Sequence, residues 1–222
     1  MSVTSADTVR PGGAQLITYA DRLAGDLPGL RRLLTEQLGG VFSGVHVLPF
    51  FVPIDGADAG FDPIDHSAVD PRIGTWDDIA ALAADHDVMA DLIVNHVSAE
   101  SEPFLDWLAN GDDSAYADMF LTPERVFGHE PRADELAVIH RPRPTSPFTG
   151  FGFADGRHRM VWTTFTDRQV DIDVEHELGW NHLLGILDRF HTGGVTIVRL
   201  DAVGYAIKRA GTSCFMLPET FD

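Results

Sequence analysis

Two hydrophobic periods take turns along this chain. Residues 15–19 (QLITY), 45–50 (VHVLPF), 88–96 (VMADLIVNH) and 195–201 (VTIVRLD) are short, dense apolar runs of the kind shown by buried strands. Between them the spacing becomes helical. Leu30, Leu33, Leu34 and Leu38 fall on one helical face, with Asp26 as N-cap, Pro28 just inside the start and Gly39-Gly40 as the stop. Thr75 and Asp78 form a capping box for a helix reaching about residue 84. Trp180, Leu183, Leu184, Leu187 and Phe190 mark another amphipathic helix, closed by Gly193-Gly194.

This alternation predicts the α/β class, a parallel sheet covered by helices. Four parallel strands by themselves leave an open apolar edge, which soluble proteins avoid. After the fourth strand, residues 217–222 (LPETFD) have the proline-then-acid makeup of a helix start. The expected architecture is the N-terminal half of a (β/α)8 TIM barrel; a complete four-stranded α/β domain is the alternative. Residues 1–14 read as a flexible lead-in and 15–97 as barrel strands 1–3 with their helices. Residues 98–174, rich in aromatics, proline and glycine, read as a small subdomain inserted after strand 3. Residues 175–222 supply helix 3, strand 4 and the truncated start of helix 4.

Composition narrows the function. The 222 residues carry 34 acids against 16 lysines and arginines, a net charge of −18, which argues against a nucleic-acid partner. It also means that an anionic substrate needs a local basic patch. No apolar run reaches the length of a membrane span. The N-terminus lacks a signal-peptide pattern. The single cysteine, Cys214, excludes an internal disulfide and fits a reducing compartment, the cytoplasm.

In a parallel barrel, polar residues at the C-terminal strand ends are candidate active-site groups. Here these are Asn95-His96 after strand 3, Arg199 and Asp201 on strand 4, and the aspartate-rich loop after strand 2 that carries Asp55, Asp58 and Asp62. Arg199 and Asp201 alternate onto one face of their strand. A guanidinium there keeps the carboxylate ionised, and an ionised, oriented carboxylate can attack an electrophilic carbon. A structural ion pair at the rim is the alternative. His96 alone fits a hydrogen-bonding role as well as a catalytic one. Residues 140–144 (HRPRP) hold two arginines stiffened by prolines, suited to phosphate or to pairing with nearby acids. There is no HExxH, no paired cysteine, no GxGxxG, no P-loop and no GxSxG. No cofactor and no metal are implied.

Taken together, these segments resemble a known family. DLIVNH at 91–96 and VRLDAV at 198–203 are similar to the strand-3 and strand-4 motifs of the α-amylase superfamily. The finer resemblance is to its sucrose phosphorylases. It runs through LITYADRL (16–23), GVHVLPFF (44–51), PIDGADAGFDPIDH (53–66), MADLIVNHVSAES (89–101), RPRP (141–144), QVDIDV (169–174) and RLDAVGYAIKRAGTSCFMLPETFD (199–222). The resemblance implies retaining glucosyl transfer from sucrose to phosphate, giving α-glucose 1-phosphate and fructose through a covalent glucosyl-enzyme. It places the nucleophile at Asp201. Asp58, His96 and Arg199 match positions that hold glucose or orient the nucleophile. Phe61 and Phe165 match pocket-lining aromatics, and Gln169 and Tyr205 match acceptor-side positions. Arg143 matches the phosphate-binding arginine and would supply the local cation that the acidic chain needs.

The resemblance also implies a homodimer for the full-length protein, and an acid/base glutamate and third carboxylate on strands later than any here. These 222 residues alone are therefore expected to be inactive. His140 stands where the family usually has tyrosine. That leaves open a relative that takes glucosylglycerate or sucrose 6-phosphate, or a hydrolase of another α-glucoside. A noncatalytic carbohydrate-binding fragment is the reading outside enzymes.

Overall fold

The computed structural model describes residues 13–221. The lead-in expected over residues 1–14 lies almost wholly outside them, and Ala14 already opens a strand. The backbone divides into two compact units. One comprises the chain through Gly60, His66–Leu92 and Gly185–Arg199; the other comprises Phe61–Asp65, Ile93–Leu184 and Leu200–Asp222.

The first unit is built on a four-stranded sheet whose strands lie side by side in chain order. These are β1 (Ala14–Thr18), β2 (Phe42–Val47), β3 (Asp87–Ile93) and β4 (Ile197–Asp201). β2 pairs in parallel with both β1 and β3. Sequential parallel strands joined by helices form the arc of an α/β barrel, as the apolar pattern predicts. The helix signals also hold. In α1 (Leu27–Arg32) Asp26 Oδ1 accepts from the Gly29 amide at 2.6 Å. In α2 (Trp76–Asp85) Thr75 and Asp78 close the expected capping box. α3 (Glu177–Thr192) ends at Gly193, where a Cβ would come within 2.2 Å of the Trp76 ring. Only glycine allows that approach. Inside, Phe51 stacks on Phe190 at 5.6 Å, and Trp76 meets Phe50 edge-on.

One strand differs from expectation. The apolar run over 88–96 breaks: β3 stops at Ile93, and His96–Ser98 forms a separate short strand. That strand pairs antiparallel with Gln169–Asp171, His96 opposite Asp171. His96 therefore sits in a two-stranded ribbon rather than at the tip of the third barrel strand. The helix start expected over 217–222 is a single 3-10 turn, Pro218–Thr220.

The second unit has its own aromatic core. Phe104 and Trp107, on the helix Glu102–Asn110, pack on Phe120 at 5.1 and 5.2 Å. Trp162 is enclosed by Phe127 and Phe148. It lies on a hairpin of Phe148–Gly152 and His158–Trp162.

A clamp organises the loop after β2. Arg72 donates to both oxygens of Asp55 at 2.7 Å and pairs with Asp70 at 2.7 Å; Asp70 also accepts from the Ile54 amide at 3.1 Å. The Arg72 hydrogen bonds hold the buried Asp70 carboxyl down to about 2. A depressed carboxylate stabilises the fold above its unfolded value, and the effect fades as pH falls through the folded value. Asp70→Asn is thus expected to lower the unfolding free energy by up to about 2 kcal/mol at pH 6. The gap to the parent should close between pH 4 and pH 2 in urea titrations. A gap that persists unchanged at pH 2 would contradict the clamp.

Candidate active site

In the second unit, five of the expected site residues form one connected group. His96, buried in its ribbon, places Nε2 3.0 Å from the Phe61 carbonyl. Gln169, across the ribbon, sets Nε2 3.1 Å from His96 Nε2 and 3.3 Å from the same carbonyl. Phe165 tilts over the His96 ring at 5.3 Å and meets the Tyr205 ring edge-on at 5.0 Å. Burial pushes the Tyr205 phenol above its usual range. The result is a half-buried aromatic wall, Phe165 and Tyr205, beside a buried imidazole and amide that both face the Phe61 carbonyl.

Asp201 closes β4. Its carbonyl accepts from the Val94 amide at 3.2 Å and its side chain is half-buried. The next residue, Ala202, has φ 56°. A left-handed alanine costs on the order of 1–3 kcal/mol and is typical of functional turns. The same device follows Asp58, where Ala59 has φ 54°. In the first unit the Asp58 loop is anchored by the Tyr19 hydroxyl, which donates to the Ala59 carbonyl at 3.0 Å.

Arg199, also in the first unit, is held from below. Asp91, fully buried, accepts from Arg199 Nη1 and lies 2.8 Å from His46 Nε2. The Asp91 carbonyl meets His66 Nε2 at 3.0 Å. Sequence reasoning did not single out His46 or Asp91. The signal was there, since an imidazole and a carboxylate inside dense apolar strands require partners.

Arg143 stands apart, exposed on an open cleft of about 590 Å³ whose walls include His140, Arg141 and Ser213. The His140 amide donates to the Ser213 carbonyl at 2.8 Å, and its ring stacks on Phe215 at 4.4 Å and faces Tyr205 at 6.0 Å. His140 thus belongs both to the cleft that carries Arg141 and Arg143 and to the ring cluster of Tyr205 and Phe215. Among the described residues, no helix is long and apolar enough to cross a membrane.

The chain is 54% identical over 208 residues to the sucrose phosphorylase of Bifidobacterium adolescentis, covering 93% of this chain and 41% of that protein. It is 57% identical to the sucrose phosphorylase of Agrobacterium vitis, covering 93% and 43%. The crystal structure of sucrose 6F-phosphate phosphorylase from Thermoanaerobacter thermosaccharolyticum superposes with a TM-score of 0.91 at 41% identity, covering 97% of this chain and 45% of that one. The chain thus spans less than half the length of these relatives. The family described as "Alpha amylase, catalytic domain" matches residues 6–215, so the chain belongs to the α-amylase catalytic-domain family.

Proposed function

We propose that this chain carries the nucleophile and the sugar-binding wall of an enzyme that moves a glucosyl unit from sucrose to phosphate. The observation that carries the reading is the connected group of Phe61, His96, Phe165, Gln169 and Tyr205 in the unit that also holds Asp201. Asp201 attacks the anomeric carbon, the bond to the fructosyl oxygen breaks, and an acid protonates that oxygen. A phosphate oxygen then takes the glucosyl carbon and releases the Asp201 carboxylate. Two displacements retain the α configuration. The aromatic wall supports the positive charge that develops on the ring. Asp58, His96 and Arg199 hold glucose and orient Asp201, and Arg143 binds phosphate.

A second reading keeps the chemistry and changes the acceptor. His140, stacked on Phe215, borders the cleft that holds Arg143. An imidazole offers this wall a hydrogen bond or a charge, which suits a phosphorylated or acidic acceptor. Product analysis of the complete gene product tests both readings. Sucrose and phosphate are expected to give α-glucose 1-phosphate and fructose; product only with sucrose 6-phosphate or glucosylglycerate as donor would favour the second. Residues 1–222 by themselves are expected to release no detectable glucose 1-phosphate, as they span less than half the length of the sucrose phosphorylases they match. Sucrose-dependent release by the isolated segment would refute that.

A further inference from the structure

Lys208 is enclosed in the second unit, its side chain 2% exposed. An ammonium in that position carries a desolvation penalty of several kcal/mol unless its protons are met. They are met by three acceptors, which matches its three donors. Nζ lies 2.8 Å from Asp171 Oδ2 and 2.9 Å from Asn95 Oδ1, and it donates to the Tyr205 carbonyl. Asp171, itself wholly buried, also accepts from Thr164, Oδ1 from the amide and Oδ2 from the hydroxyl. The Trp162 ring lies 5.5 Å from the ammonium.

The three acceptors belong to three separate stretches of chain. Asn95 directly precedes His96. Asp171 ends the strand that begins with Gln169. Tyr205 ends the 3-10 turn Val203–Tyr205 that follows Asp201. One nitrogen therefore links the backbone segments carrying His96, Gln169 and Tyr205, although no contact joins it to those three side chains. The neighbouring cations are engaged elsewhere, Arg209 with Glu175 and Arg125 with Asp118. We infer that Lys208 is a positioning residue. It holds the His96, Gln169 and Tyr205 segments in the relative placement that glucosyl transfer requires. A buried ion pair that only stabilises the fold is the competing account. The inference rests on the sugar-site reading above.

The test uses the complete gene product and compares Lys208→Met, Lys208→Arg and Asn95→Ser with the parent. Lys208→Met removes the ammonium. Lys208→Arg keeps the charge but cannot centre one nitrogen among three acceptors. Asn95→Ser leaves the Lys208–Asp171 pair and releases only the His96 segment. A misplacement of about 1 Å costs on the order of 100-fold in rate, so kcat/KM for sucrose should fall about 100-fold in Lys208→Met and about 10-fold in the other two. The inhibition constant for glucose should rise alongside. Any folded variant of the three that keeps kcat/KM within about threefold of the parent overturns the inference, whatever its Tm. If Lys208→Met fails to fold, the other two decide. A parent inactive on sucrose would overturn the functional reading instead. The inference is then judged by amide exchange, which must rise around residues 94–98 in Asn95→Ser and around residues 94–98 and 203–206 in Lys208→Arg, and stay unchanged in the helix Trp76–Asp85. Exchange that stays unchanged at those residues overturns it.

Discussion

Asp201→Asn is expected to abolish sucrose phosphorolysis in the complete gene product, by about ten-thousand-fold or more, while leaving the fold intact. An amide has the shape of the carboxylate but cannot form the glucosyl ester, so the first displacement has no nucleophile. The change keeps the size and shape of the half-buried side chain and leaves the backbone carbonyl, which accepts from the Val94 amide, untouched. The left-handed Ala202 behind it is unaffected by the change. Two measurements decide the matter: initial release of glucose 1-phosphate, and the mass of peptides from protein quenched during turnover with a slow glucosyl donor. The parent should carry one glucosyl unit on the peptide that contains Asp201, and the variant none. A loss smaller than about 100-fold, or an adduct on another residue, would move the nucleophile elsewhere.

The framework around Asp201 was legible because it is written in local chemistry. Asp26 and the Thr75–Asp78 box mark helix starts by satisfying orphan amides within three residues, and both do so in the structure. The strands of the sheet follow from apolar density alone, with boundaries that move by one to three residues. β1 runs Ala14–Thr18 where 15–19 was expected. The break before His96 was not legible. The residues from Val88 to His96 form one apolar run, and nothing within it signals a stop. What ends β3 is a partner more than seventy residues away, the strand Gln169–Asp171.

The site divides along the same line. Asp201, Arg199 and His96 announce themselves as polar groups in apolar strands. Phe61, Phe165 and Gln169 do not, since an aromatic or an amide in a loop has many bland explanations. They emerged only from family resemblance, and the structure then joined them through the Phe61 carbonyl and the Phe165 ring. Lys208 was invisible for the opposite reason. Beside Arg209 it reads as part of a solvated basic pair, and only the fold reveals that one of the two is buried.

Arg143→Ala is expected to raise KM for phosphate by about 1,000-fold and to leave slow sucrose hydrolysis within about threefold of the parent. The asymmetry follows from placement. Arg143 is exposed on the cleft beside His140 and Arg141, whereas His96 and Gln169 are buried in their ribbon. The first displacement involves sucrose, Asp201 and the acid that protonates the leaving oxygen but no phosphate, so it proceeds without a phosphate cradle. The second requires an anion to approach a site set in a segment of 222 residues with net charge −18, and the field of that segment opposes it. A guanidinium on a proline-stiffened segment reverses the local field and offers paired donors that match phosphate oxygens. Water needs neither, so the glucosyl ester still hydrolyses. Arg143→Lys restores charge without the fork and should recover part of the phosphate affinity. Sensitivity to ionic strength should drop in Arg143→Ala, because the screened attraction is the one removed. Parallel loss of phosphorolysis and hydrolysis would instead place Arg143 in the shared first step.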